Sequence, residues 1–336
     1  MSNPLQSTIL GLFNLRGSDI SFNPVFMAYA LVPAEADQQV TLFLRESGSK
    51  LSVSARQALE ADSIRLADYD GVFETCSQFS LQKSKKLLIT STCNWKLAEA
   101  IGSDRFVCKA SPIEAAKAVK NEVEVAGFRQ CHIRDGAALV RYFAWLQAQL
   151  TAEPASKLDE VDGADRLEQF RAEGANFRGL SFDTISGSGP NGAIIHYKPE
   201  KPTAALITAD QVYLCDSGAQ YLDGTTDVTR TVHFGLATAW EKECYTRVLK
   251  GNLALKAAIF PAGTSGMQLD ALARASLWQV GLDFRHGTGH GVGHYLNVHE
   301  GPQSISFRPS SNEAKLVAGM TVTDGKKLKE KQSINL

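Results

Sequence analysis

Between residues 286 and 294 the chain reads His-Gly-Thr-Gly-His-Gly-Val-Gly-His. An ordinary core helix does not carry such a run, because each interior glycine costs about 1 kcal/mol relative to alanine. His286, His290 and His294 share one parity, so an extended segment would carry them on one face. The glycines then fill the opposite face, which suits a bent strand lying close to another backbone or a ligand. Three imidazoles on one side of such a strand are hard to explain as core packing. His299, five residues further on, has the other parity and needs a bend or bulge to reach the same pocket.

A second constellation precedes it. Residues 216–230 read Asp-Ser-Gly-Ala-Gln-Tyr-Leu-Asp-Gly-Thr-Thr-Asp-Val-Thr-Arg. A strand is expected to end at Asp216 and another to begin near Asp227, with Gly218 and Gly224 supplying the turns. Such a hairpin can bring Asp216 and Asp227 side by side. Two carboxylates held together repel, so one must take a proton or a cation must sit between them. A hard or borderline divalent ion suits the position, although aspartates are also ordinary turn residues. A third element is the loop Ser186-Gly-Ser-Gly-Pro-Asn-Gly192, followed by His196-Tyr197. It lacks the Gly-Lys-Ser/Thr of a phosphate-binding loop. His196, after Ile194 and Ile195, reads on its own as a satisfied, partly buried structural histidine.

The surrounding chain reads as two α/β-type regions. Gln39–Leu44 and Lys85–Ser91 are expected strands, with a helix over Ser52–Glu60 between them. Ser111 caps a helix beginning at Pro112, with Glu114 three residues after the cap. Helical character continues to Leu150 with a break near Gly127, and Leu139, Phe143, Leu146 and Leu150 form one apolar stripe. Further helices are expected over Ala164–Glu173, Glu241–Phe260 and Leu269–Val280, the last stopped by Gly281. Val212–Cys215 and Val228–Phe234 alternate as strands. The fold class is α/β followed by α+β.

The 336 residues exceed one typical domain. Thirty-five basic against thirty-six acidic residues give a net charge of −1, so the basic excess of a nucleic-acid binder is missing. No apolar run reaches the ~20 residues of a membrane span, and the first residues do not form a secretory signal. Six scattered cysteines without a CxxC spacing read as buried thiols in a reducing, cytoplasmic setting.

His196, Asp216, Asp227 and His290, in that order, together resemble the M24 metallopeptidase family, and closely its aminopeptidase P (Xaa-Pro aminopeptidase) branch. The resemblance also rests on Phe13–Asp19, Arg134–Ala138, Gly179–Thr184 and His299-Glu300-Gly301-Pro302. It implies a partial creatinase-like α/β domain over residues 1–112 and a pita-bread domain over 113–324, followed by a divergent Lys-rich tail over 325–336. Such enzymes hydrolyse the bond before a proline in second position, using a dinuclear centre, usually Mn²⁺, that activates water. By resemblance Asp216 and Asp227 bind metal, Asp227 bridging, and His290 binds the second ion. His196 and His299 resemble the substrate-contacting and proton-handling histidines, and His286 supports the His290 loop. Peptide substrates and a homodimer are further implications.

The resemblance breaks after Gly319-Met-Thr-Val-Thr-Asp324, where Gly325 stands in place of a ligand glutamate. A second ligand glutamate of the family has no counterpart in this chain, and both ends look truncated against the pattern. Three of five protein ligands remain, and their two negative charges oppose the +4 of two ions. One weakly held ion, or none, is expected, with impaired peptidase activity, and an open sheet edge where further strands would pair. The alternatives are a non-catalytic peptide-binding or subunit-pairing form of the fold, and a metal-independent hydrolase of the creatinase kind.

Overall fold

The computed structural model describes residues 4–35, 37–45, 47–81, 86–152, 157–309 and 314–325. Of the tail, only Gly325 lies among them. The chain divides into two compact units, residues 1–117 and 118–336.

In the first unit, strand Ala28–Leu31 pairs antiparallel with Thr41–Leu44, which runs parallel to Arg65–Asp68. A second parallel pair joins Leu87–Ile89 to Phe106–Cys108. Phe43, Val72, Cys76 and Ile101 form the buried cluster that joins these strands to helices Gly71–Ser80 and Trp95–Ile101. Helix Val53–Ala61 starts where Ser52 accepts a hydrogen bond from the Ala55 amide, a cap that satisfies an otherwise unpaired helix donor.

The second unit is organised by the 30-residue helix Glu122–Thr151. It begins with a reciprocal capping box, Asn121 with Glu124. The sequence break expected near Gly127 lies instead at residues 119–121, between helices Pro112–Ala118 and Glu122–Thr151. Lys120 there donates its amide to Gly319 O at 2.9 Å. Gly127 sits inside the helix for a different reason. A Cβ at that position would lie 2.3 Å from Asp223 O, so the glycine admits a close neighbour and does not end the helix. The expected stripe, Leu139, Leu146 and Leu150 with Phe143 at its flank, packs on Leu167, Phe170, Tyr213 and Cys215.

Strand Val212–Ser217 is the middle of a three-stranded antiparallel sheet, flanked by Ile185–Ser188 and Val228–His233. Tyr213 and Cys215 point into the core under the long helix. Asp216, one residue away, has the opposite parity. Two helices, Ala239–Lys256 and Gly266–Trp278, pack through Leu255, Leu269, Ala273 and Leu277. Each starts or stops a few residues from the expected limits, and Gly281 does adopt the left-handed conformation, φ +70°.

Candidate metal centre

Each candidate ligand arrives on a different segment. Asp216 pairs with Ile185 on one side of its strand and Thr229 on the other. Asp227 sits just before strand Val228–His233. The turn leading to it is pinned by Thr226, whose amide donates to Ala219 O while its hydroxyl accepts from the Ala219 amide, both at 2.9 Å. Gly218 makes this possible, since a Cβ there would lie 2.0 Å from Thr226 O. His290 closes the two-residue strand Gly289–His290, which pairs with Ser304–Ile305.

The bend that His299 needs is present. The Glu300 amide donates to Gly291 O at 2.9 Å, and the His299 ring lies 4.0 Å from that of His290, edge to face. Behind this cross-link the Glu300 carboxylate meets Lys120 at 3.5 Å, with both side chains almost fully buried.

Asp227, His290 and His299 thus converge, with one ligand atom from each lying within 4.8 Å of the others. His290 Nδ1 is 2.9 Å from Gly291 O. A carbonyl only accepts, so Nδ1 carries the proton, and a neutral His290 turns the bare lone pair of Nε2 outward. That lone pair faces Asp227 Oδ2 at 3.2 Å. Two acceptors at this distance need a positive species between them, either an extra proton or a cation. Metal bonds to imidazole and carboxylate of about 2.0–2.2 Å put two donors on one ion about 3 Å apart. The residues therefore fit a divalent ion.

His299 supports the same reading. Its ring opens on the cavity but is otherwise crowded by protein. That desolvation, with His290 next in size, lowers its pKa to about 4; Asp227 and Asp216 oppose the shift and His196 adds to it. The imidazole is therefore neutral, with a lone pair available, well below neutral pH.

The surrounding cavity, about 1660 Å³, is lined by Asp216, His196 and His286 as well as by the trio. Asp216 lies outside the tight trio, although its charge reaches His299. His196 is exposed to the cavity and has a left-handed backbone, φ +54°, so it is not the buried structural histidine that its apolar neighbours suggested. His286 turns Nδ1 to Gly287 O at 2.7 Å and stacks near Phe284. His294 packs edge-on against Phe128, 5.6 Å between centroids. The three histidines of the run therefore do not share one face. Only Gly289–His290 is strand, and the chain turns on either side of it.

Sequence reasoning missed two groups that shape the site. Thr323 donates its amide to His290 O at 2.8 Å and accepts from the His290 amide at 3.1 Å. Glu160, buried on another helix, holds the loop that carries His196. The glycine run hinted at the first, since Gly289 would otherwise clash with Thr323 O. Nothing local signals the second.

A model described as metallopeptidase family M24 matches residues 126–328. The chain belongs to this family. Ahead of the M24 region, residues 7–124 match the creatinase/prolidase N-terminal domain. M24 relatives include a probable Xaa-Pro aminopeptidase P of Laccaria bicolor, 55% identical over 93% of this chain and 48% of its own length. One from Neurospora crassa is 53% identical over 92% and 46%. The chain spans about half the length of the curated relatives it matches. An X-prolyl aminopeptidase from Caenorhabditis elegans, described as a cytosolic enzyme with a di-nuclear active site, superposes with TM-score 0.89 at 38% identity. That match covers 98% of this chain and 54% of the other. The architecture is a creatinase-type N-terminal domain followed by the M24 pita-bread domain.

Proposed function

We propose that this M24 chain carries the hydrolytic centre of an Xaa-Pro aminopeptidase, acting on peptides with proline in second position. The observation that supports this most is the convergence of Asp227, His290 and His299 in one cavity with Asp216 and His196. The named relatives point to the same substrate class.

Asp227, His290 and Asp216 are the proposed metal ligands, with Mn²⁺ the proposed ion and His299 close enough to join them. A bound divalent ion supplies a water of lowered pKa and polarises a carbonyl. The protein's own contribution is electrostatic and positional. Neutral His299 stands ready to accept a hydrogen bond or a proton beside the reacting carbonyl, and an N–H donor from His196 stabilises developing oxyanion charge. His286 lines the same cavity, with Nδ1 held at Gly287 O.

Gly325 brings no carboxylate to the position where the family pattern has one. Asp216 and Asp227 are the carboxylates proposed as ligands, a set that suits one ion better than two. The same observation favours a second reading, a peptide-binding form without turnover. No helix among the described residues is long and apolar enough to cross a membrane, and we propose a cytoplasmic setting for this chain like that of the C. elegans protein.

The test is cleavage of an Arg-Pro-Pro-type peptide by the Mn²⁺-loaded chain, beside the same peptide with alanine in second position. Release of arginine from the proline peptide, suppressed by a chelator, supports the first reading. Peptide binding with no release selects the second. Equal cleavage of both peptides, or cleavage that survives a strong chelator, overturns the proposal.

A further inference from the structure

The loop from Ser188 to Ala205 carries His196 into the cavity, and its anchor lies outside that cavity. Glu160 is the first residue of helix Glu160–Ala172 and its side chain is fully buried. Its carboxylate accepts from the Ser188 amide at 2.7 Å, Asn191 Nδ2 at 3.1 Å, the Tyr197 hydroxyl at 2.6 Å and the Ala205 amide at 2.9 Å. The Glu160 amide in turn donates to Ala205 O at 3.0 Å. One carboxylate thus ties both ends of the loop, its 3₁₀ turn at Gly189–Ala193 and the residue directly after His196.

Three features separate this from an ordinary structural bond. No ion pair to Glu160 occurs among the described residues, and nearby Lys201 pairs instead with Asp159 and Asp162. The charge is held by neutral donors and by the positive end of its own helix, so each donor is drawn tightly to it. His196 adopts φ +54°, a conformation that strains a non-glycine residue and persists only where the surroundings over-determine it. Tyr197, its neighbour, has its phenol pKa raised by burial and by Glu160, so it remains a donor.

We propose that Glu160 is a positioning residue: through Tyr197 and the two loop ends it sets the place of His196 relative to the Asp227, His290 and His299 trio. This rests on the reading of that trio as a metal site.

The experiment uses the full chain with ¹³C-labelled histidine, titrated with Mn²⁺ and followed by NMR. The His196 signal is assigned from its loss in His196→Gln. Mn²⁺ at the trio bleaches His290 and His299 and broadens His196. In Glu160→Gln, His290 and His299 still bleach, while broadening of His196 changes severalfold. Tyr197→Phe removes a single donor and keeps the test available if Glu160→Gln does not fold; it shifts His196 broadening in the same direction by less. Unchanged His196 broadening in both variants, with a lowered melting temperature alone, overturns the proposal and leaves Glu160 structural. Absence of bleaching at His290 and His299 in the parent chain overturns the metal reading, and the proposal falls with it.

Discussion

Replacing Gly289 by alanine tests how tightly the His290 strand is held. A Cβ at Gly289 would lie 1.9 Å from Thr323 O, a backbone atom, whereas ordinary contact begins at 3.4 Å. The two segments must separate by 3.4 − 1.9 = 1.5 Å, or the strand must twist. Either movement disturbs the bonds from the Thr323 amide to His290 O and from the His290 amide to Thr323 Oγ1. Two hydrogen bonds of about 1 kcal/mol each, added to an overpacking cost of about 1–3 kcal/mol, give a destabilisation of roughly 3–5 kcal/mol. Gly287, two residues earlier on the same segment, is the control. Its nearest neighbours to a Cβ are at 3.6 Å, so alanine there fits. It is expected to be neutral, or stabilising by up to about 1 kcal/mol through the unfolded chain. Urea denaturation of the metal-free variants measures both, and Mn²⁺ titration of the folded Gly289→Ala protein is expected to show weaker binding. If the two alanine variants unfold within about 0.5 kcal/mol of each other and bind Mn²⁺ alike, the close approach of Thr323 does not hold His290 and the reasoning fails.

Other expectations follow from the same geometry. The pKa of His299 falls from 6.5 to about 4 on folding, so between those values the unfolded chain binds a proton that the folded chain does not. Metal-free stability therefore rises with pH across about 4 to 6.5 and is level above it. The full shift corresponds to about 3 kcal/mol, but the ring opens on solvent, and about 1 kcal/mol is expected after screening. Chelator-treated His299→Gln should lose this slope, and an unchanged slope would exclude His299 as its source. Asp135, fully buried, takes a bidentate pair from Arg171 at 2.8 and 2.9 Å and a bond from the Tyr221 hydroxyl at 3.0 Å. Asp135→Ala leaves a buried guanidinium uncompensated and should cost about 3–5 kcal/mol in denaturation; a loss below 1 kcal/mol would contradict that account.

Much of the second unit was legible because its signals are local. The alternation of Val212–Cys215 and Val228–Phe234 reports one buried face, and the Leu139–Leu150 stripe reports another. Positions decided by distant contacts were not legible. Gly127 looked like a helix break because its partner, Asp223 O, lies almost a hundred residues away. Parity arguments grouped His286, His290 and His294, but only two residues of that run are extended. His294 goes to Phe128, and His299, of the other parity, joins His290 through the Glu300–Gly291 bond. Glu160 lies ahead of the helix expected from Ala164, and its role was not legible because its four partners come from residues 188–205.

The most direct test is an equilibrium count of Mn²⁺ bound to the purified chain, followed by electron paramagnetic resonance, alongside Asp227→Asn and His290→Ala. The expected result is one ion per chain, lost in both variants while each keeps a cooperative melting transition. Binding that is absent from the parent chain, or that survives both substitutions, would show that these side chains do not meet around a cation.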